Sequence, residues 1–338
     1  MPVEISTVAD DFAVLHDDDR VHRFDGLDPE TNYRFLGLDV RTLPRPRGEL
    51  LCRFATVNDV HFGETECGVI EGFDGGPVLT AANGDRAYAA VMNEGAVAEI
   101  TAIDPIAVLV KGDLTRDGEP NEYAAFLSCY GSAFGSRLYH VRGNHDAYRG
   151  QEYAFGHQLI DVPGARLALV DTVIPHHTTG RFDTAADAWL DDVATSTANP
   201  VLVFGHHHPW PPGTVKRDPN YFGLDPDSSE RLVDLIARRR NILGYFAGHT
   251  HRNRVRRFDA TGDVPYVEVA CVKDFPGSWA EYRVYDGGFL QIHHRISAPE
   301  ALEWSQRCRV LYSDLGLDYT SYALGKTLED RCFAIWRR

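Results

Sequence analysis

Residues 50–61 read LLCRFATVNDVH, and residues 106–113 read IAVLVKGD. In each, a mostly apolar run stops at a carboxylate, Asp59 or Asp113. Runs of this kind suit strands covered on both faces by helices, as in α/β proteins. The same grammar recurs downstream. Residues 137–146 (RLYHVRGNHD), 200–210 (PVLVFGHHHPW) and 242–251 (ILGYFAGHTH) each run from an apolar strand into a polar loop. A further strand, 166–172 (RLALVDT), carries Asp171 near its end. Helical spacing appears between the strands, at 86–101, 121–134, 184–194 and 228–240, with Ser228 or Ser229 as the expected N-cap of the last. In open α/β sheets, ligands bind beyond the carboxyl ends of strands. The repeated polar strand ends therefore outline a site.

The flanks read differently. Residues 21–43 offer two β-like runs around Asp28-Pro29, predicting a small hairpin or strand addition that ends near Gly48. Residues 63–84 are glycine-rich and read as a loop. After residue 264, the segments 264–270, 280–286 and 289–296 follow without helices between them and predict a second sheet. The division expected is an N-terminal β extension over 1–48, a catalytic domain over 49–298 and a helical tail over 299–338. The tail is expected to pack against the core or to mediate self-association into a homo-oligomer.

A formal charge of −15 argues against a general nucleic-acid binder. It does not exclude a phosphate-bearing substrate, because bound cations dominate a local field. The basic run Arg252, Arg254, Arg256 and Arg257 reads as a solvated edge strand. The six cysteines form no CxxC pair, which predicts reduced thiols. The N-terminus has no signal-peptide pattern, and no apolar run approaches the roughly 20 residues needed to span a membrane. The cytoplasm is the expected location.

The strand-end clusters carry the chemistry. Asp59 and His61, two residues apart in an extended segment, point to one side and can grip one ion. Asp113 follows a buried strand, and one carboxylate can bridge two ions through its two oxygens. Asn144 can offer a carbonyl oxygen, while His145 is better placed to reach a substrate as proton donor, with Asp146 to orient it. Asp117 lies further on as an acceptor behind the ligands. The triple His206, His207 and His208 can yield one ligand. His249 and His251 alternate and can each serve a separate ion. His176 and His177 face either substrate or solvent, and His293 and His294 read as structural.

As an ordered set, Asp59-Val60-His61, Gly112-Asp113, Gly143-Asn144-His145-Asp146, the His-Pro cluster at 206–209 and Gly248-His249-Thr250-His251 resembles the calcineurin-like metallophosphoesterases. The resemblance covers about residues 50–296. It implies a four-layer α/β/β/α sandwich of two mixed sheets flanked by helices. It also implies two divalent or mixed-valence metal ions (Mn, Fe or Zn), given the mixed N/O donors. Asp59, His61 and His251 would hold the first ion, and Asp113 would bridge. Asn144, His249 and His207 would hold the second, with His206 as the alternative to His207. A hydroxide bridging the ions would attack phosphorus, and His145 would act as the substrate-facing acid. The Pro209-Trp210-Pro211-Pro212 run resembles the branch of cyclic-nucleotide and glycerophosphodiester phosphodiesterases. The segment GLDPETNYRF resembles the β module of purple acid phosphatases. The expected function is hydrolysis of a small, cyclic-nucleotide-like phosphodiester. A phosphomonoesterase and a non-catalytic metal-stabilised scaffold are the alternatives.

Overall fold

In the computed structural model, which describes residues 3–18, 20–70, 76–214 and 222–337, two six-stranded sheets stack face to face. Residues 71–75 of the glycine-rich loop lie outside that description. The first sheet runs in the order Phe333–Trp336, Gly288–Arg295, Ser278–Tyr285, Leu50–Val57, Val108–Lys111, Leu138–Val141. The second runs Arg254–Arg257, Pro265–Glu268, Ile242–Ala247, Val201–Gly205, Ala165–Val170, Gln158–Val162. Both mix parallel and antiparallel pairs.

Strand periodicity explains the layers. Alternate residues point to opposite faces, so each central strand serves two cores. Cys52, Phe54, Leu109, Leu167, Leu169, Leu202, Phe204 and Phe246 enter the core between the sheets. Their neighbours Ala55, Val57, Val108 and Val110 meet the helix Tyr88–Ala102 on the outer face of the first sheet. Ala168, Val170, Val201 and Val203 meet the helices Thr184–Thr195 and Pro226–Arg238 on the outer face of the second. The four-layer α/β/β/α arrangement is the expected one. At its centre Phe54 stacks on Tyr282 at 4.6 Å and meets Phe204 edge-on at 5.9 Å.

Several local readings are corrected. The late antiparallel strands do not make the second sheet. Ser278–Tyr285 pairs with Leu50–Val57, with Tyr282 opposite Phe54, so the hairpin enlarges the first sheet. The α/β strands are divided between the two sheets. Helix Pro226–Arg238 is capped by Asp225, whose carboxylate accepts the Ser228 N–H, rather than by Ser228 or Ser229. Proline at the first helical position moves the start upstream of the serines. The two runs around Asp28-Pro29 do not pair with each other: Arg20–Asp25 joins Phe12–Asp17, and Asn32–Phe35 joins Leu38–Arg41. Residues 299–337 are helical at Pro299–Arg307 and Tyr319–Leu324, but Phe333–Trp336 is a strand that closes an edge of the first sheet. The arginine run is an edge strand without being simply solvated. Arg252, Arg254 and Arg256 turn onto buried Glu268 at 2.9, 2.7 and 3.3 Å.

His293 and His294 are structural. His293 bonds Ser278 Oγ at 2.6 Å, and His294 stacks on Trp279 at 3.9 Å. All six cysteines are unpaired. No helix among the described residues is long and apolar enough to cross a membrane.

The N-terminal strands dock through charge as well as apolar contact. Phe12 and Val14 pack on Tyr285, Leu290 and Ile292. Beside them Arg283 donates to Asp10 at 2.7 Å, Asp11 at 2.8 Å and Glu281 at 2.8 Å. Arg283, Asp10 and Glu281 are all buried. Removing one partner of a buried ion pair strands the others, at a cost of about 3–5 kcal/mol. Arg283→Ala is expected to lower unfolding stability by that amount in urea titration. Arg34→Ala, which breaks an exposed pair with Asp39, is expected to change it by less than about 1 kcal/mol. Similar small effects for both would refute this account of docking.

Candidate metal centre

Five loops converge where the two sheets' strand ends meet. They follow Leu50–Val57, Val108–Lys111 and Leu138–Val141 of the first sheet, and Val201–Gly205 and Ile242–Ala247 of the second. Backbone bonds tie them together. The amides of Val60 and His61 both donate to the Asp113 carbonyl at 3.0 Å, and Gly248 N–H donates to the His206 carbonyl at 3.0 Å. The turns are sharp. Asp59, His61, Asp113, His249 and His251 all take positive φ, between 45° and 67°. Residues with a Cβ rarely adopt this region, and each instance costs about 1–3 kcal/mol. Two glycines permit close approach: a Cβ on Gly143 would collide with the Asp113 carboxylate, and one on Gly248 would lie 2.8 Å from Asp59 Oδ2.

The side chains form overlapping groups. Potential ligand atoms of Asp59, His61 and His251 lie within 4.8 Å of one another. The same holds for Asp59, Asp113 and His206, for His61, Asp113 and His145, and for His206, His207 and His249. Asp113 links them. Its Oδ1 accepts the His145 N–H at 3.0 Å. Its Oδ2 stands 3.4 Å from His61 Nε2 and 3.3 Å from His206 Nε2. Oδ1 keeps a second lone pair beyond that amide, so either oxygen of Asp113 could serve a cation.

The histidine triple resolves by its partners. His206 Nε2 lies 3.1 Å from Asn144 Oδ1, and its Nδ1 lies 2.8 Å from the Lys111 carbonyl. Both oxygens can only accept, so each ring nitrogen donates, and release of the Nε2 proton would turn that lone pair to a cation. His207 faces the same cluster, but Thr172 Oγ1 takes its Nδ1 at 2.8 Å and the Thr178 carbonyl its Nε2 at 3.1 Å. The His206 ring thus meets another candidate ligand, Asn144, whereas the hydrogen-bond partners of His207 lie outside the ligand set. His249 Nε2 is buried with no hydrogen-bond partner, which is what a nitrogen aimed at a cation requires. Asn144 donates through Nδ2 to Tyr148 Oη at 2.6 Å, leaving its carbonyl oxygen toward His206.

Burial pushes the Asp113 carboxyl up, but the imidazoles of His206, His145 and His61 outweigh it and hold Asp113 well below the usual range. Burial also raises Asp59, and the His251 contact reverses that. Burial and neighbouring imidazoles keep His249 and His207 neutral. Burial lowers His61, His206 and His251 as well, but carboxylates around them reverse that and raise all three, His206 to about 9, so each would give up a proton to bind a cation. Carboxylates, imidazoles and a carboxamide oxygen make a mixed N/O set suited to borderline cations.

Other expectations shift. Asp146 does not orient the His145 ring. Its carboxylate accepts from the amides of Leu114, Thr115 and Gly143 and from Thr115 Oγ1, at 2.6–3.0 Å, and so pins the loop that carries Asp113. His145 Nδ1 instead meets the Arg116 carbonyl at 2.8 Å. Asp117 contacts Arg116 and is partly exposed, away from the ligands. Asp171 ends a strand like the others, yet pairs with Arg142 at 2.9 Å. His176 is exposed and bonds the Tyr148 carbonyl. The sequence reading missed Glu64, Lys273 and Asp274, which stand behind His61 and His251. The signal was present in the Lys273-Asp274 pair, another charged end to an apolar run.

The family model described as calcineurin-like phosphoesterase matches residues 52–253, an interval that contains every candidate ligand. The glycerophosphodiester phosphodiesterase GpdQ of Enterobacter lignolyticus (strain SCF1) is 29% identical over 161 residues, covering 44% of this chain and 56% of GpdQ. The 3',5'-cyclic adenosine monophosphate phosphodiesterase CpdA of Pseudomonas aeruginosa is 28% identical over 151 residues, covering 43% of this chain and 54% of CpdA. The chain thus spans about half the length of these curated relatives. A dimetal phosphatase from Danio rerio superposes with a TM-score of 0.51 at 17% identity, over 73% of this chain and 98% of that one, a likeness of fold. The matched interval, with its ordered strand-end motifs on a four-layer sandwich, makes this chain a member of the calcineurin-like phosphoesterase family.

Proposed function

We propose that this protein hydrolyses small phosphate diesters at a centre of two divalent or mixed-valence cations drawn from Mn, Fe and Zn. The observation that carries this reading is the position of Asp113 Oδ2 between His61 Nε2 and His206 Nε2, one from each sheet's loops. Asp59, His61 and His251 would hold the first ion. Asn144, His206 and His249 would hold the second, with Asp113 shared. When bound, such a pair supplies hydroxide near neutral pH and draws charge from the phosphoryl oxygens.

The chain's own residues then orient and move protons. His145 is half-buried beside His61 and Asp113. Because its Nδ1–H is held by the Arg116 carbonyl, Nε2 can give a proton to a leaving oxygen only from the imidazolium. Burial lowers His145 to about 4, with Asp113 opposing. A phosphoryl anion alongside adds to that opposition and favours the charged ring.

Small diesters are supported by relatives named for glycerophosphodiester and cyclic-nucleotide substrates. The acidic balance of the chain disfavours a nucleic-acid substrate. Six free thiols support residence in a reducing compartment such as the cytoplasm. Residues 49–298 are proposed as the catalytic unit, and the described residues of 1–48 and 299–338, which bond each other, as its support.

Manganese-loaded protein is expected to hydrolyse bis-(p-nitrophenyl) phosphate faster than p-nitrophenyl phosphate. Preference for the monoester would make the protein a phosphomonoesterase, and inertness toward both would make it a scaffold. His206→Ala is expected to lose one of two bound manganese ions by metal analysis, while His207→Ala keeps both. The reverse pattern would return the ligand role to His207. His145→Ala is expected to retain both ions and slow turnover by about 10²–10⁴-fold; unchanged turnover would remove its role as acid.

A further inference from the structure

The two imidazoles assigned to the first ion share a support that the second site does not use. His61 Nδ1 stands 3.1 Å from Glu64 Oε2, and His251 Nδ1 stands 3.3 Å from Asp274 Oδ2. Both rings turn Nε2 inward, toward Asp113 and Asp59 respectively. One ammonium joins the two carboxylates behind them. Lys273 Nζ donates to Glu64 Oε1 at 2.9 Å and lies 3.3 Å from Asp274 Oδ2. Lys273 is 3% exposed, Glu64 6% and Asp274 0%. Two carboxylates at that depth need a cation between them.

The far side of Asp274 is closed by the C-terminal segment. Its Oδ1 accepts Tyr319 Oη at 2.7 Å and Cys271 Sγ at 2.9 Å. Trp304 Nε1 donates to the Lys273 carbonyl at 2.9 Å, and Tyr322 Oη donates to the Thr250 carbonyl, between His249 and His251, at 2.9 Å. None of Lys273, Asp274 and Tyr319 lies in the interval matched by the family model. His206, by contrast, leans on the neutral carbonyl of Lys111. A carboxylate behind an imidazole fixes its tautomer and raises its basicity, and loss of such a partner costs about 10–100-fold in metal affinity.

We propose that Lys273 is a positioning residue which, through Glu64 and Asp274, orients both imidazoles of the first ion's site and makes it the tighter site, with Tyr319 locking the arrangement. This rests on the two-cation reading above. Because Asp274 spans Lys273, Tyr319 and His251, its isosteric change to asparagine interrupts the chain of contacts at one point without altering volume.

The test is calorimetric titration of the full chain with Mn²⁺ in two backgrounds. His206→Ala leaves the first site to be read, and His61→Ala leaves the second. In the first background, Asp274→Asn and Lys273→Met are each expected to weaken Mn²⁺ binding by about 10–100-fold, and Tyr319→Phe, which keeps the ring, by a smaller factor. In the second background the same changes are expected to leave affinity within about twofold. Should Lys273→Met fail to fold, Asp274→Asn and Tyr319→Phe carry the test. Unchanged affinity at the first site, or equal losses at both sites as a general structural defect would produce, overturns the proposal. A parent chain that binds no Mn²⁺ overturns the two-cation reading itself, a result distinct from either.

Discussion

Asp113 Oδ2 meets an imidazole from each sheet, His61 on one side and His206 on the other. His61 and Asp113 follow adjacent strands of one sheet, but His206 comes from the other, so their meeting depends on how the sheets stack. That stacking is made by aromatic residues. Phe54 and Tyr282 from the first sheet interlock with Phe204 and Phe246 from the second, in stacked and edge-on contacts. Interiors packed at crystal-like density have discrete arrangements and do not slide. The distance between the two sets of strand ends is therefore set by apolar packing deep in the sandwich, while the chemistry is gathered at its rim.

The rim itself is unfavourable in isolation. Five candidate ligands sit in left-handed backbone. Their combined strain is of the order of the net stability of a whole domain. Buried carboxylates and imidazoles add a desolvation cost. The surrounding structure holds these groups in place through backbone bonds between loops, the four donors to Asp146 and the close approach at Gly143. An arrangement in which ligands are imposed by the scaffold loses little conformational freedom when a cation is bound, and this is the physical content of preorganisation.

The flanking segments share in that support. The N-terminal strands lean on the antiparallel half of the first sheet through Arg283 and its three carboxylates. The segment after Pro299 reaches the rim directly, where Tyr319, Tyr322 and Ala323 bond Asp274, Thr250 and Asn253. The loop bearing His249 and His251 is thus held from both sides, by the sheet it leaves and by a part of the chain outside the matched catalytic interval. It differs in this from the His206 loop, whose ring is supported by the backbone of a neighbouring strand.

What could be read from the sequence was local. Apolar runs that end in Asp, Asn or His are visible without knowing any neighbour, because strand burial and turn chemistry act over a few residues. The strand ends and nearly all the candidate ligands followed from that, as did the assignment of His293 and His294 to structure. What tertiary structure decided depends on direction. The strands end before these residues, and a turn does not keep a strand's simple alternation, so spacing alone did not choose between His206 and His207, nor show that Asp146 faces amides while His145 leans on Arg116. Sheet membership was hidden too, because Ser278–Tyr285 finds its partner more than two hundred residues upstream. Lys273 and Asp274 carried no recognisable spacing to His61 and His251. Only the folded chain, with the sheets closed upon each other, brings an ammonium and a carboxylate behind those rings.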